Sequence, residues 1–90
     1  MTAPEIVAQL AQTGAFSCPT LPSARYDGVK NVCWTLLRLA LVERIARTNT
    51  SMELAPTEAF REWQREVAIG VTALDIIAWG QERRRAKVGA

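Results

Sequence analysis

The sequence predicts an all-α fold, a single domain of three helices in which a short N-terminal helix packs on a long antiparallel helical hairpin. Three observations carry that expectation. Apolar residues recur at helical spacing over residues 23–47 and 57–87, helix-start signals precede each segment, and hydrophobic residues make up 49% of the 90-residue chain against 22% charged, a globular balance.

The first helix is expected over residues 2–13. Thr2 followed by Pro4 and Glu5 has the form of a capping box with proline in the first turn. Ile6, Val7, Leu10 and Ala11 then cover one face, and Gly14 supplies a stop. Residues 14–22 contain two prolines, Gly14 and no charge, which suits an ordered loop held by Phe16 and Leu21.

The second helix is expected over residues 23–47, capped by Ser23 or Asp27. Val29, Val32, Cys33, Leu36 and Ala40 form one stripe, and Trp34, Leu37, Leu41 and Ile45 form another rotated by about 120° at the helical repeat. Thr48, Asn49, Thr50 and Ser51 end it. Asn49-Thr50-Ser51 has the form of a glycosylation acceptor but reads as a turn.

The third helix is expected over residues 57–87, because Pro56 blocks backward extension and Thr57 can cap. Phe60, Trp63, Val67, Gly70 or Val71, Leu74, and Ile77 or Ala78 repeat at about 3.5 residues, a core seam. The seam runs across Gly70, which favours one continuous helix tolerating an interior glycine at ~1 kcal/mol. Ile69, Ala73, Ile76 and Trp79 lie outside the seam.

That surplus of apolar residues points to association. The two off-seam sets, Trp34, Leu37, Leu41 and Ile45 with Ile69, Ala73, Ile76 and Trp79, define an expected protein interface, most economically a symmetric homodimer. Asp75, isolated among apolar neighbours, is the candidate for setting interface specificity, and Trp34 and Trp79 are the candidate anchors. The expected function is non-enzymatic: a small protein acting through protein–protein interaction, as homodimer, adaptor, assembly factor or inhibitor of a larger complex.

Catalytic machinery is hard to assemble from these residues. The chain contains no histidine, so neither Cys18 nor Cys33 has the usual activating base, and no Ser-His-Asp set can form. No paired carboxylates or glycine-rich phosphate loop stand out. With no CxxC pair the usual structural zinc site is excluded too, and neither metal nor cofactor is expected. Residues 1–15 carry no basic n-region, and the stretch 67–81 is too short and interrupted by Asp75 for a membrane span. A cytoplasmic protein with free thiols is expected.

Charge is uneven. The net is +2, and Arg83, Arg84, Arg85 and Lys87 contribute four positive charges, leaving seven basic and nine acidic groups elsewhere. These four are the candidate contacts for an anionic partner, and they also suit the C-terminal end of a helix dipole. Gly70-Val71-Thr72, with Ile76 and Trp79 in GVTALDIIAW and the arginine run after it, resembles the turn and second helix of the phage-repressor type of helix-turn-helix. The resemblance implies a dimeric DNA-binding regulator that presents Ala73, Leu74, Ile77 and Ala78 to a major groove. Arg65 and Glu66 depart from the pattern, which has an apolar residue and a small alanine there.

Overall fold

The computed structural model describes residues 1–89, and it corrects the expected class from an all-α helical bundle to α+β. The elements are α1 (Ala3–Thr13), β1 (Phe16–Pro19), a 3-10 turn (Ala24–Tyr26), α2 (Asp27–Arg38), β2 (Val42–Arg47), β3 (Ser51–Pro56), α3 (Glu58–Ala68) and α4 (Ile76–Gly89). The strands form one antiparallel sheet in the order β1-β3-β2. The expected helix over 23–47 is therefore α2 followed by a strand. The expected helix over 57–87 is two helices joined by residues 69–75.

Each start and stop has a local cause. Glu5 Oε1 accepts from the Thr2 N–H at 3.1 Å and the Thr2 hydroxyl at 2.8 Å, opening α1 as the capping signal implies. Gly14, at φ 76°, closes it with its N–H on the Leu10 carbonyl. The end of α2 is a Schellman motif: the Leu41 N–H reaches the Leu36 carbonyl at 2.9 Å and the Ala40 N–H reaches Leu37 at 3.0 Å. The left-handed residue this motif requires is Ala40, at φ 57°. α3 ends in the same way, Val71 N–H to Glu66 and Gly70 N–H to Val67, with Gly70 at φ 78°. Gly70 is thus a helix stop, and the seam crosses it in sequence without a continuous helix beneath.

The helices cover one face of the sheet. Phe16 and Cys18 of β1, Met52 and Leu54 of β3 and Val42 of β2 are buried beneath Ile6 and Leu10 of α1, Cys33 and Leu36 of α2, and Phe60 of α3. Residues 16–19, expected as loop, form β1, and Phe16 is buried as expected while Leu21 is exposed. Thr57 ties the two halves together: its hydroxyl donates to the Ala40 carbonyl at 2.7 Å and its N–H to Leu41 at 3.1 Å. Cys18 of β1 and Cys33 of α2 are both free and buried, and the Cys18 thiol donates to the Pro19 carbonyl at 3.5 Å. Burial, the largest cause in each case, pushes both thiols up from their ordinary range.

Candidate nucleic-acid interface

α2 exists because Val29, Val32, Cys33, Leu36 and Leu37 give it one apolar side, which Cys33 and Leu36 bury completely. Asn31, Trp34 and Arg38 follow one another at helical spacing on the exposed side. Lys30 ties the N-terminal end of the helix to the preceding loop, donating to the Leu21 carbonyl at 2.9 Å and pairing with Asp27 at 3.7 Å. At the other end, Arg84 of α4 donates to the Arg38 carbonyl at 3.3 Å, bringing part of the basic C-terminal run against the end of α2.

Beside α2 the β2–β3 hairpin extends like a wing. From Glu43 to Thr50 every residue is exposed. The tip is braced: the Thr48 Oγ1 accepts from the Ser51 N–H at 3.1 Å and the Thr50 N–H at 3.3 Å, while the Thr48 N–H donates to the Ser51 carbonyl at 2.8 Å. The expected turn at 48–51 is therefore present, joining strands rather than helices.

The register of the hairpin sorts its charges. Arg44 pairs with Leu54 and Arg47 with Met52, whereas Glu43 pairs with Ala55 and Glu53 with Ala46 and Ser17. Cross-strand partners share a face, so both arginines lie on the helix side of the sheet and both glutamates on the outer side. Arg44 and Arg47 are an odd number of positions apart, which in a regular strand would put them on opposite faces. The bulge between Arg44 and Ala46 takes up Ile45 as an extra residue and restores both to one face.

The same segregation holds along the chain. Residues 20–50 carry five basic groups against two acidic ones, a net of +3, and residues 51–79 carry two against five, a net of −3. The carboxylates of α3 are engaged locally: Glu58 with Arg65 at 2.8 Å, Glu62 with Arg83, and Glu66 with the Trp79 indole N–H at 3.1 Å. Arg83 also lies over the Trp79 ring.

The residues singled out in the sequence do not form one surface. Leu41, Ile76 and Trp79 are buried in the chain's own core, and Leu37 packs against it. Trp34, Ile45, Ile69 and Ala73 are exposed, the first on α2, the second in the bulge, the others in the turn 69–75. The two helical stripes expected to carry them are interrupted, since residues 41–45 and 69–75 are not helical. Asp75 opens α4, its Oδ1 accepting from the Ala78 N–H at 2.9 Å. Of the four basic C-terminal residues, Arg83 and Arg84 are engaged as described, and Arg85 and Lys87 are exposed.

The helix-turn-helix resemblance falls on α3, residues 69–75 and α4. This seven-residue connection is longer than the usual turn of about 3–4 residues. Ala73 and Leu74 precede α4, and Ile77 and Ala78 are half-buried. The residues the sequence did not single out are Arg38, Arg44 and Arg47. Met52 and Leu54, alternating after a polar turn, are the signal of the sheet that orients them.

A second feature lies between α1, α3 and α4. It is an open apolar groove of about 770 Å³, walled by Val7, Ala8 and Ala11 from α1 and Trp63, Val67 and Ile77 from the other two, with Asp75 at its edge. Among the described residues no cluster of histidine, cysteine or carboxylate side chains could hold a metal ion, and no helix is long and apolar enough to cross a membrane. No family model, curated protein or solved structure matches the chain.

Proposed function

We propose that this chain is a non-enzymatic, cytoplasmic protein that binds duplex DNA through α2 and the β2–β3 wing. The observation that carries the reading is the bulge that turns Arg44 and Arg47 to the helix side while Glu43 and Glu53 face away. The major groove admits a helix or a two-stranded ribbon, and this chain presents both side by side. Arg38, Arg44, Arg47 and Arg84 supply phosphate contacts; Asn31 and Trp34 are the exposed α2 side chains facing the bases. The DNA-binding alternative read from residues 70–79 thus keeps its partner class and moves to a different surface. Association with protein is the second reading, supported by the apolar groove and by Ile69 and Val71, which are 74% and 65% exposed.

The test is fluorescence anisotropy with a random-sequence duplex over a salt series. Each phosphate contact contributes about 0.9 to the slope of log K against log salt. The Arg44→Ala, Arg47→Ala variant is expected to lower that slope by about 2 and weaken binding, while the outer-face variant Glu43→Gln, Glu53→Gln stays within about half a unit of the wild-type slope. Wild-type protein that does not bind, or an arginine variant with an unchanged slope, sinks the proposal.

A further inference from the structure

The exposed side of α2 carries an order that gripping phosphates alone does not require. Counting about 100° per residue, Asn31 and Arg38 fall within about 10° of the line opposite the midpoint of Cys33 and Leu36, the two residues that the helix buries completely. They are therefore its outermost side chains, about 10 Å apart along the axis. Arg38 sits at the end that Arg84 joins, and guanidinium groups gathered there suit a phosphate. Asn31 carries no charge, and its side-chain amide makes no hydrogen bond among the described residues. The polar groups around it are occupied: the Thr35 hydroxyl donates to the Asn31 carbonyl at 2.8 Å, and Asp27 pairs with Lys30 at 3.7 Å. Gly28, one turn before Asn31, has no reason inside the chain to be glycine, since an added β-carbon would meet nothing within 4 Å. Its bare backbone leaves the approach to Asn31 open on that side.

We infer that Asn31 is the base-reading residue of α2 and selects an adenine in the major groove, so that the duplex this chain prefers holds a fixed A·T pair beneath the helix. The assignment rests on the DNA-binding reading and deepens it, because phosphate contacts carry no sequence information. A carboxamide donates through Nδ2 to adenine N7 and accepts through Oδ1 from the N6 amino group. Adenine alone presents both an acceptor and a donor on its major-groove edge, so no other base makes both bonds. Trp34, 49% exposed on the adjoining arc of the helix, offers the apolar contact that a thymine methyl takes. Gly28 is where the helix can lie closest to the groove, and a side chain there would stand beside Asn31 and hold it off the base edge.

The test is selection of sites from a random duplex pool by the full chain, followed by anisotropy on the selected site. The wild type is expected to enrich one adenine position, and replacing that A·T pair by G·C weakens binding by about 5- to 150-fold. In Asn31→Ala the same replacement costs less than about twofold, and the salt slope stays within about half a unit of wild type because no phosphate contact is lost. Gly28→Gln, which fills the open approach, loses the adenine preference as well. Both positions are exposed, so circular dichroism of each variant remains that of the wild type. Wild-type binding with a steep salt slope but no enriched adenine, or a preference that survives in either variant, overturns the readout while the DNA-binding reading stands. A wild type that binds no duplex overturns both.

Discussion

At the scale of single residues, the most telling position is Ala40. It occupies the left-handed position of the Schellman motif at φ 57°, a conformation that a β-carbon disfavours by about 1–2 kcal/mol. Ala40→Gly is expected to stabilise the fold by about 1 kcal/mol, after the entropy that glycine adds to the unfolded chain is deducted. Urea denaturation checks it, with a higher midpoint at unchanged slope. The same residue explains why the end of α2 is hidden in the sequence. A glycine at 40 would have marked the stop, as Gly14 does for α1, whereas alanine is the best helix former and reads as continuation. Glycines 28 and 80 form a contrasting pair. An added β-carbon at Gly28 meets nothing within 4 Å, so Gly28→Ala is expected to stabilise α2 by about 0.5–1 kcal/mol. At Gly80 it would lie 2.9 Å from Leu41 Cδ1 and 3.3 Å from Leu39 Cδ1. Leu41 is fully buried and has nowhere to move, so overpacking of about 1–3 kcal/mol outweighs the gain in propensity and Gly80→Ala is expected to destabilise.

At the scale of elements, the wing keeps both arginines on one face because the bulge absorbs one extra residue. Ile45 stands outside the ladder, and the pairs on either side of it, Arg44 with Leu54 and Ala46 with Glu53, are those of a regular strand once it is removed. Deleting Ile45 is therefore expected to leave the hairpin paired and both arginines on the helix side, so that the salt slope of DNA binding stays within about half a unit of wild type. A slope that falls as far as in the double-arginine variant would show that the bend, and not the facing of the arginines, is what binding needs. The bulge also explains why the sheet was not legible. It breaks the apolar alternation of β2, and the spacing from Leu41 to Ile45 then fits a helix as well as any strand. What local chemistry marks was legible: the capping box of α1, the Pro56-Thr57 start of α3, the polar turn at 48–51, and the core roles of Phe16, Cys33 and Phe60. The candidate site was not, because the basic residues of α2 and β2 acquire a common face only through strand register, and register depends on a partner strand distant in sequence. The basic run of α4 is conspicuous because it is contiguous, yet Glu62 pairs with Arg83, and only Arg84, on the Arg38 carbonyl, is brought to the end of α2.

At the scale of the whole molecule, stability is linked to pH through the two buried thiols. Burial raises both above the ordinary thiol value of 9.0, while the unfolded chain titrates them normally. The unfolded state therefore loses protons first as pH rises. For groups whose folded value is raised, the contribution to stability is complete below the unfolded value and is lost progressively above it. The urea midpoint is expected to be insensitive to the thiols between about pH 6 and 8 and to fall above about pH 9. The Cys18→Ala, Cys33→Ala variant starts lower, having lost core volume, but declines less steeply over the alkaline range. The difference between the two proteins isolates the thiols from every other group that titrates there. A parallel decline in both would mean that the thiols ionise without unfolding and that the junction of β1 with α2 admits water. Thiol labelling under native conditions reads the same junction: because Cys18 and Cys33 are both fully buried where the sheet supports α2, labelling requires that junction to open. If opening is global, stabilising the chain through Ala40→Gly slows labelling at both cysteines by the same factor, about fivefold for 1 kcal/mol. If α2 detaches on its own, Ala40→Gly, which acts on the end of that helix, and a stabilising change elsewhere will slow labelling unequally, and α2 is then held less firmly than the domain that carries it.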